Sequence, residues 1–540
     1  MELTRRALLS AGVGLTTAGA LARPDLSTAA HAAAGTATTW QSDMLKVSRG
    51  GRLVYPRRGG LRLPDWAQVG YRNGQSPPEV PTVQTIGPVA GDNTSHLQTA
   101  IDAVGALPPG DNGFRGAILL QAGEYPVAGT VYLRHSGVVL RGVGDDADPA
   151  TNTVIRAVGN TPNQRDVVVV GGGSGLWNGD ARDWSEEVAG TRTDITSDVV
   201  PLAGNTFTVA DPEALAVGDN VIIVHPCTQA WLDAIDGGGT ADAPPWAVGS
   251  QPIAYNRYVT AIEGDRVTID APVFYQLDRA LSQSFVYVWD RAGLVTDVGV
   301  ESLRVDIEFN GEDDDEDHAW NAIRLVEAEN AWVRDCTMLH FGLSGVAMFK
   351  ATRVTVSGCR ALDPKSRITG SRRYSFSAER SVNLALVTDC YANHARHAYV
   401  SNGTTTASGI VFHRCVAEGS LTSSEGHRRW THGLLYDNHL EIEPVTGRAL
   451  ALYNRGSWGT QHGWSAAHCV AWKADVADSS LSVQQPPTAQ NYAIGCFGTV
   501  NGDGVSASDD DAGPGYIEGT DRPGLEPDSL YEAQFAARPS

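Results

Sequence analysis

The stretch from 331 to 390 repeats one short pattern: AWVRDC at 331–336, RVTVSGC at 353–359 and LALVTDC at 384–390. The pattern returns as FHRC at 412–415, AAHC at 466–469 and AIGC at 493–496. The six cysteines are 23, 31, 25, 54 and 27 residues apart, and Asn438 in LYDN divides the gap of 54 into 23 and 31. We interpret this as one position of a repeat that the chain visits seven times.

A repeat of this length, built from short β-branched runs, is typical of a solenoid with three short strands in each coil. The runs lack the i, i+3, i+4 spacing of amphipathic helices. Alternation within them places the cysteines on the inner side, where cysteine packs as a small hydrophobic residue. The sequence therefore predicts an internal cysteine ladder, with a structural role for the thiols and none as nucleophile or metal ligand.

The composition argues against two classes of partner, nucleic acids and membranes. The chain has 540 residues and a formal net charge of −21, which argues against a nucleic-acid binder because such proteins normally carry a basic surface. No segment after the N-terminus has the roughly 18 consecutive apolar residues of a membrane helix, so no membrane partner is expected.

The N-terminus has the features of an export signal. Arg5 and Arg6 precede an apolar run rich in small residues, and Ala20-Leu21-Ala22 and Ala30-His31-Ala32 offer cleavage sites. Paired arginines here favour a twin-arginine signal over 1–32, with an ordinary Sec signal as the alternative. Either route predicts a secreted, extracellular protein.

Four further regions follow from the patterns. We expect an N-terminal segment with a capping helix and the first coils at 33–160, and an inserted β subdomain of hairpins at 161–290. The main β-helix is expected at 291–500, and a polar, loose tail at 501–540.

Residues that carry chemistry gather along one edge of consecutive coils. The spacing from Arg373 to Arg396 is 23 residues, as it is from Tyr374 to His397, so each pair should stack about 4.8 Å apart. The predicted catalytic residues are His397, Tyr374, Arg373, Arg396, His427, Glu425 and Asp437. The predicted substrate-binding residues are His318, Trp320, Arg429, Trp430, Arg455, His462, Trp464 and Gln490.

This combination suits an acidic polysaccharide that contains uronate, because stacked arginines repel one another unless they bind an anion and because arginine pairs with carboxylates. β-Elimination needs a neutralised carboxylate, a base and an acid. Arg373 and Arg396 would neutralise the carboxylate, His397 would be the base, and Tyr374 or His427 the acid. The sequence favours a polysaccharide lyase.

Two alternatives stay open. A glycoside hydrolase needs two carboxyl groups about 5 to 9.5 Å apart, for which Glu425 and Asp437 are the best candidates. A non-catalytic glycan-binding β-helix would use the aromatic residues and arginines, but would not need Tyr374 and His397 together.

The run Gly311–Asp317 contains six acidic residues, whose oxygen atoms suit a hard cation such as Ca²⁺. Charge runs are usually solvated loops, and that interpretation is favoured because the fixed spacing of a calcium loop is missing. No cofactor is certain, and no His/Cys spacing matches a zinc site.

The stretches DNTSHLQTAID (92–102), LLQAGEY (119–125) and GVVLRGVG (137–144) resemble the start of pectate-lyase-like proteins. DEDHAWNAIRL (315–325), SRRYSFS (371–377) and HRRWTHGLLYDN (427–438) extend the resemblance. It implies a right-handed parallel β-helix that acts on polysaccharides, most often as a lyase, with some hydrolases and epimerases. The calcium-binding aspartates and the arginine base of true pectate lyases have no matching positions here.

Overall fold

A computed structural model describes residues 38–56, 59–172, 186–504 and 512–538. Its central feature is a large sheet in which parallel strands pair from one coil to the next, as a solenoid requires. The predicted all-β parallel β-helix is confirmed. The proposed export signal at 1–32 lies outside the described residues.

The strands form three rows, which we call A, B and C. Row A contains Val131–Leu133, Asp166–Gly171, the first half of Asn321–Arg334, Ser344–Thr352, Tyr374–Ala378, His397–Ser401, Ser424–Gly426, Leu450–Leu452 and the second half of Asp475–Val483. Row B contains Thr82–Ile86, Gly116–Leu120, Val138–Arg141, Val295–Glu301, the second half of Asn321–Arg334, Thr355–Ser357, Asn383–Thr388, Ser408–His413, Thr431–Asp437, Ala466–Ala467, Val470–Trp472, Tyr492–Ile494 and Tyr516–Glu518. Row C contains Gly123–Val127, Thr153–Ala157, Arg304–Ile307, Thr337–Leu339, Arg360–Leu362, Tyr391–Asn393, Val416–Glu418, Leu440–Ile442 and the start of Asp475–Val483, and Phe497–Asn501 pairs with both ends of that last strand.

A single left-handed residue turns the chain from row B to row C in eight consecutive coils that begin with Val295–Glu301. These corners are Ser302, Asp335, Gly358, Asp389, Arg414, Asn438, Lys473 and Gly495. The residue after each corner is buried in the core, and in five of these coils it is a cysteine: Cys336, Cys359, Cys390, Cys415 and Cys496. The internal cysteine ladder is therefore confirmed for these five positions.

Two members of the predicted ladder are wrong. Asn438 occupies a corner with φ 55°, a conformation that asparagine tolerates better than most residues, and His439 takes the inward position. Cys469 is also buried, but it follows the left-handed His468 in row B and lies one strand earlier in its coil. Sequence spacing alone could not show that Asn438 is a left-handed corner, or that His468 before Cys469 is a left-handed residue within row B.

An antiparallel sheet of six strands interrupts the β-helix between 172 and 295. In spatial order its strands are Thr193–Asp194, Phe285–Val288, Asn220–His225, Ile253–Glu263, Arg266–Ile269 and Thr206–Thr208. Val199–Val200 pairs with Leu277–Asp278 beside this sheet. Helix Gln229–Ala234 and the 3₁₀ turns Pro212–Ala214 and Asp236–Gly238 lie in its loops. A further 3₁₀ turn, Thr404–Thr406, belongs to the β-helix.

Helix Thr94–Gly105 covers the first coils. It buries Leu97, Ala100, Ile101 and Val104 in the core of the β-helix, which protects apolar residues that no preceding coil covers. Short helical turns at Tyr71–Gly74 and Trp458–Gln461 lie in loops. The strand pair Lys46–Val47 and Leu53–Val54 completes the N-terminal segment.

The loose tail expected after residue 500 is wrong for residues 512–538. Tyr516–Glu518 extends row B, and Leu525–Glu526 pairs with Trp40–Gln41. Helix Leu530–Ala536 buries Leu530 and Tyr531. Burial of these apolar side chains holds the segment against the rest of the protein, although the sequence around the helix is polar. Within the described residues, no helix is long and apolar enough to cross a membrane.

The seven cysteines are all buried and unpaired, which predicts low reactivity. Burial raises the pKa of the Cys469 and Cys496 thiols to about 12, and the thiolate is the reactive form. We expect no reaction of the native protein with a disulfide reagent such as DTNB on a timescale of minutes, and reaction of all seven thiols in guanidinium chloride. Rapid labelling of the native protein, or fewer than seven thiols after unfolding, would contradict this account.

Candidate active site

The register of row A brings together residues that lie far apart in the chain. Tyr374 pairs with His397 in adjacent strands, as their spacing predicts, and their ring centroids are 4.9 Å apart. The strand Ser424–Gly426 pairs with His397–Ser401 and leads directly into His427. The His427 ring lies 4.8 Å from that of His397 and 5.5 Å from that of Tyr374.

A carboxylate, an imidazole and a phenol form a continuous chain of hydrogen bonds. Glu425 Oε1 lies 2.6 Å from His427 Nδ1, and His427 Nε2 lies 3.3 Å from Tyr374 Oη. A carboxylate can only accept hydrogen bonds, so the contact with Glu425 requires the imidazole proton on Nδ1, whereas Arg455 Nη1, which can only donate, lies 2.6 Å from Nδ1 and 3.2 Å from Nε2 and favours the opposite. The relay takes the tautomer that Glu425 requires. Nε2 is then a lone-pair acceptor that faces the hydroxyl of Tyr374. We call Glu425, His427 and Tyr374 the relay.

Two donors point at the phenol oxygen of the relay. Arg396 Nη1 lies 3.1 Å from Tyr374 Oη, and the backbone N–H of Ser371 lies 3.2 Å from it. Burial raises the pKa of Tyr374, while Arg396 and the Ser371 N–H act in the opposite direction. Both donors would stabilise negative charge on this oxygen whenever its proton moves to His427.

Glu425 is enclosed, and donors surround both of its oxygens. Arg455 Nη1 lies 2.9 Å from Oε1, while the hydroxyls of Ser423 and Tyr453 lie 2.7 Å and 3.1 Å from Oε2. Burial alone would raise the pKa of Glu425, but Arg455, His397 and the Ser423 hydroxyl hold it below its usual range. Glu425 is therefore an ionised, fixed carboxylate that orients His427.

The imidazoles around Glu425 are neutral. Burial, and after it the charge of Arg455, lowers the pKa of His427 well below its usual value. The same two causes lower the pKa of His462, whose ring is 4.9 Å from that of His427, to about 3. A neutral His427 can accept a proton, which is what a general base requires.

His397 belongs to the same cluster and is as deeply buried as Tyr374, each with 1% of the residue exposed. Its Nδ1 lies 2.5 Å from the carbonyl oxygen of Ser423 and 3.6 Å from Glu425 Oε1, and the side chain is 2% exposed. Nε2 is buried and has no hydrogen-bond partner among the described residues. His397 packs against Tyr374 and His427, and of these three residues His427 is the most exposed, at 6%.

Three arginines near the relay, Arg380, Arg428 and Arg429, form what we call the arginine patch. None of the three forms an ion pair with a described residue, although Glu379 lies near enough to raise the pKa of Arg428. Burial, followed by Arg428 and Arg380, lowers the pKa of Arg429 to about 10. Mutual repulsion of this kind favours the binding of an anion.

Arg373 does not join this patch, and its predicted role in neutralising a substrate is wrong. Its Nη2 lies 2.7 Å from Asp313 Oδ2, and its Nε donates to the carbonyl of Ser366 at 2.8 Å. Only 3% of the residue is exposed. Register predicts which backbones are adjacent, and it brings Arg373 next to Arg396, but side-chain partners in a distant loop decide where the guanidinium lies.

Asp437 is also separate from the relay, which removes it from the predicted catalytic set. It lies in row B, where its Oδ2 accepts hydrogen bonds from the Ser529 hydroxyl and the Tyr531 N–H, both at 2.7 Å. These contacts hold helix Leu530–Ala536 against the β-helix. Glu425 and Asp437 are on different strand rows and share no partner, so they do not form a hydrolytic carboxyl pair.

The predicted substrate-binding residues divide into two groups. Arg455 and His462 contact the relay residues, and Trp320 packs with Tyr374 in one apolar cluster. Arg429 belongs to the arginine patch, and Trp464 lines a cleft described below.

The remaining three are not available to a ligand, so their predicted role is wrong. The buried His318 ring lies 2.6 Å from the Ala319 carbonyl and 3.0 Å from the Asp315 carbonyl. Trp430 is fully buried against Trp231 of the inserted sheet, with ring centroids 5.9 Å apart. Gln490 is buried, and its side chain accepts from the Asn491 N–H.

The acidic run 311–317 is a loop in which all residues but Asp315 and Glu316 are exposed, as expected, but several of its carboxylates are also paired. Asp313 pairs with Arg373 and with Lys365, and Glu316 pairs with Arg372. Asp315 accepts hydrogen bonds from two backbone N–H groups. Basic residues at 365–373 thus pair with Asp313 and Glu316. Part of the negative charge that suggested a Ca²⁺ site is therefore balanced by side chains of the protein itself.

Among the described residues, His397, Glu425 and His427 are the group whose ligand atoms come near enough to share a metal ion, within 4.8 Å of one another. Arg455 Nη1 lies 2.6 Å from His427 Nδ1 and 2.9 Å from Glu425 Oε1. This guanidinium supplies the positive charge that Glu425 needs, and a cation placed between the same atoms would be repelled by it.

Sequence reasoning missed several residues of this site. Tyr453, Arg380 and Arg428 were not among the predicted site residues, although Tyr453 lies two residues before the predicted Arg455. Trp458 was also missed. It lies on the loop between Arg455 and His462 and is 53% exposed, more than any other tryptophan of the described residues.

No family model matches the chain, and no curated protein matches it. Solved structures do. The tailspike gp49 of Pseudomonas phage LKA1 is 12% identical, covers 76% of this chain and 58% of its own, and gives a TM-score of 0.42. An alginate lyase from Paenibacillus sp. str. FPU-7 is 9% identical, with coverage of 82% and 99% and a TM-score of 0.39. The tailspike of E. coli bacteriophage HK620, in complex with a pentasaccharide, is 11% identical, with coverage of 77% and 55% and a TM-score of 0.38.

This chain thus spans little more than half the length of the two tailspikes. Likenesses of this strength do not carry a functional argument. The side chains of the site must supply it.

Asp437 generates a prediction about stability and pH. Burial raises its pKa to about 7, against the lowering effect of its hydrogen-bond donors, whereas the unfolded value is about 3.9. A raised folded pKa means that this contribution is complete below about pH 4 and is lost as the pH rises through 7. Between about pH 5 and pH 9, the free energy of unfolding should therefore fall by about 2 to 3 kcal/mol because of this group.

Urea unfolding at both pH values measures this difference. Asp437→Asn should remove it, whereas the exposed control Glu443→Gln should keep it. An Asp437→Asn variant with the same pH dependence as the natural protein would show that Asp437 is ionised throughout.

Proposed function

We propose that the protein is a polysaccharide lyase that cleaves a uronate-containing chain by β-elimination. One observation carries the proposal. Tyr374 Oη lies between Arg396 Nη1 and Nε2 of His427, and Glu425 lies against the other nitrogen of that imidazole. A phenol in this position can lose its proton to a neutral base while a cation stabilises the oxygen that remains.

The arginine patch supplies the second requirement of the reaction. A uronate carboxylate bound by Arg428 would lose its negative charge in effect, and the adjacent C–H bond would become more acidic. Arg428 lies near enough to Tyr374 for the two to affect each other's ionisation. A substrate carboxylate bound by Arg428 would therefore lie close to Tyr374, the residue that removes the proton.

The elimination then balances as follows. His427 Nε2 takes the hydroxyl proton of Tyr374, and the phenolate oxygen removes the proton next to the carboxylate. The electron pair of that C–H bond forms the C=C bond as the bond to the leaving glycosidic oxygen breaks. Tyr374 passes the abstracted proton to that oxygen, and His427 returns its proton to Tyr374. The products are an unsaturated uronate end and a free hydroxyl end.

A glycoside hydrolase is less well supported by the same residues. It needs one carboxyl group to donate a proton and another to act as base or nucleophile. Both oxygens of Glu425 are already occupied by donors, while Asp437 lies elsewhere. A purely binding protein would have no use for the relay. We further propose that the protein acts outside the cytoplasm, which the arginine pair at 5–6 supports.

Removing the phenol oxygen of Tyr374 tests the proposal. In Tyr374→Phe the phenol oxygen is removed while the ring that packs on Trp320 remains. We expect kcat to fall by about 10² to 10⁴, the usual contribution of a general acid–base group, with KM changed little. The measurement is ultraviolet absorbance of unsaturated ends, together with reducing ends, on a panel of uronate and neutral polysaccharides.

Tyr391→Phe is the matched control, because Tyr391 lies in row C and its hydroxyl binds Glu418. It should retain activity. Reducing ends without absorbance would identify a hydrolase and overturn the proposed reaction. Unchanged turnover in Tyr374→Phe would remove the relay from the chemistry.

A further inference from the structure

A cleft of about 520 Å³ lies between the inserted subdomain and the β-helix, next to the relay. One wall comes from the loop after helix Gln229–Ala234, and the other from segments that lead into row B, among them two loops that follow row A. Its lining residues are Asp236, Gly239, Ala241, Asn454, Trp464, Gln485, Pro486, Pro487, Thr488 and Ala512. Nothing in the proposed elimination uses them.

Close backbone contacts hold the two walls together. The Trp464 N–H donates to the Gly238 carbonyl at 2.8 Å, and Trp246 Nε1 donates to the Gln461 carbonyl at 3.0 Å. Gly239 has φ 65°, and a Cβ atom there would lie 2.4 Å from the Trp464 ring, so only glycine fits. The cleft is therefore built by docking the subdomain onto a specific loop.

That loop also carries residues of the active site. Asn454 and Trp464 line the cleft, while Arg455 and His462, one and two residues away, contact His427. Consecutive Cα atoms are about 3.8 Å apart, so the cleft and the relay are neighbours along the same surface. A polysaccharide bound at the relay would extend into or past the cleft.

The chemistry of the cleft differs from that of the arginine patch. Its lining contains no lysine, arginine or histidine, and its one charged group is the exposed carboxylate of Asp236, which forms no ion pair with a described residue. Such a lining repels a uronate. Asp236, Asn454 and Gln485 offer acceptors and donors for hydroxyl groups, and the partly exposed Pro487 offers apolar surface to the C–H face of a sugar ring.

We propose that this cleft is a subsite for an uncharged sugar residue, so that the natural substrate is a heteropolysaccharide in which uronate and neutral sugars occur in one chain. The inference rests on the proposed function, because it assumes that the relay acts on a uronate. It assigns to the inserted subdomain the selection of the neighbouring sugar.

The test compares Asp236→Asn and Gln485→Ala with the control Asp233→Asn. Asn suits position 236, where φ is 53°, and Asp233 is an exposed residue of the preceding helix that does not line the cleft. The substrates are a polymer that alternates uronate with neutral sugar and a polymer of uronate alone. We expect KM for the alternating polymer to rise at least tenfold in both cleft variants, with kcat within twofold and the control unchanged. The natural protein should prefer the alternating polymer.

A binding measurement separates this inference from the proposed reaction. Isothermal titration of Tyr374→Phe with oligosaccharides of the alternating polymer should give affinity that Asp236→Asn weakens at least tenfold. If no polymer yields unsaturated ends but this weakening is found, the cleft assignment stands and the lyase fails. If uronate-only polymer is cleaved equally well and neither cleft variant changes KM or affinity, the cleft assignment is overturned and the lyase stands.

Discussion

The ionised carboxylate of Glu425 is the constraint on which the site depends. A buried charge is costly unless it is paired and fully hydrogen-bonded, and Glu425 meets both conditions through Arg455, Ser423, Tyr453 and His427. Because these partners are fixed by one carboxylate, they are fixed relative to one another. The contact between Glu425 and His427 Nδ1 orients the imidazole so that Nε2 faces the hydroxyl of Tyr374.

Arg455 has a second consequence for the imidazoles. Its charge satisfies Glu425 and at the same time opposes protonation of His427 and His462. A histidine beside an acid would ordinarily be driven toward its charged form, and here the arginine and burial prevent it. The imidazoles therefore rest neutral, with a lone pair available to accept a proton, although the same burial and charge weaken them as bases.

The stacked coils explain how such a cluster can form from distant parts of the chain, and also how far a sequence can foresee it. Recurring cysteines and the spacing of Tyr374 and His397 predict the solenoid and the register of row A, because both follow from strand periodicity. The role of Asn438 could not be foreseen, since a left-handed corner and the inward position after it look alike in a count of residues. Arg373 and Asp437 were misplaced for a different reason. Their partners, Asp313 and Tyr531, come from a loop and a terminal helix that no repeat pattern describes.

The inserted subdomain forms the part of the site that the coils of the β-helix do not provide. The coils position the relay, but the subdomain covers the outer face with Trp231 and Tyr275 against Trp430, and its loop forms one side of the cleft beside Trp464. In this arrangement the repeat supplies the chemistry and the insertion supplies selection. The loop 454–464 links the two, because it contributes side chains to both.

The protonation of His427 tests the central claim most directly. Nitrogen NMR of uniformly labelled protein, with the His427 signals assigned by comparison with His427→Gln, reports the charge and the tautomer of this ring. The relay predicts a neutral imidazole at neutral pH with its proton on Nδ1 and a free lone pair on Nε2. A charged imidazolium, or a neutral ring protonated on Nε2, would contradict the account, because neither could take a proton from Tyr374.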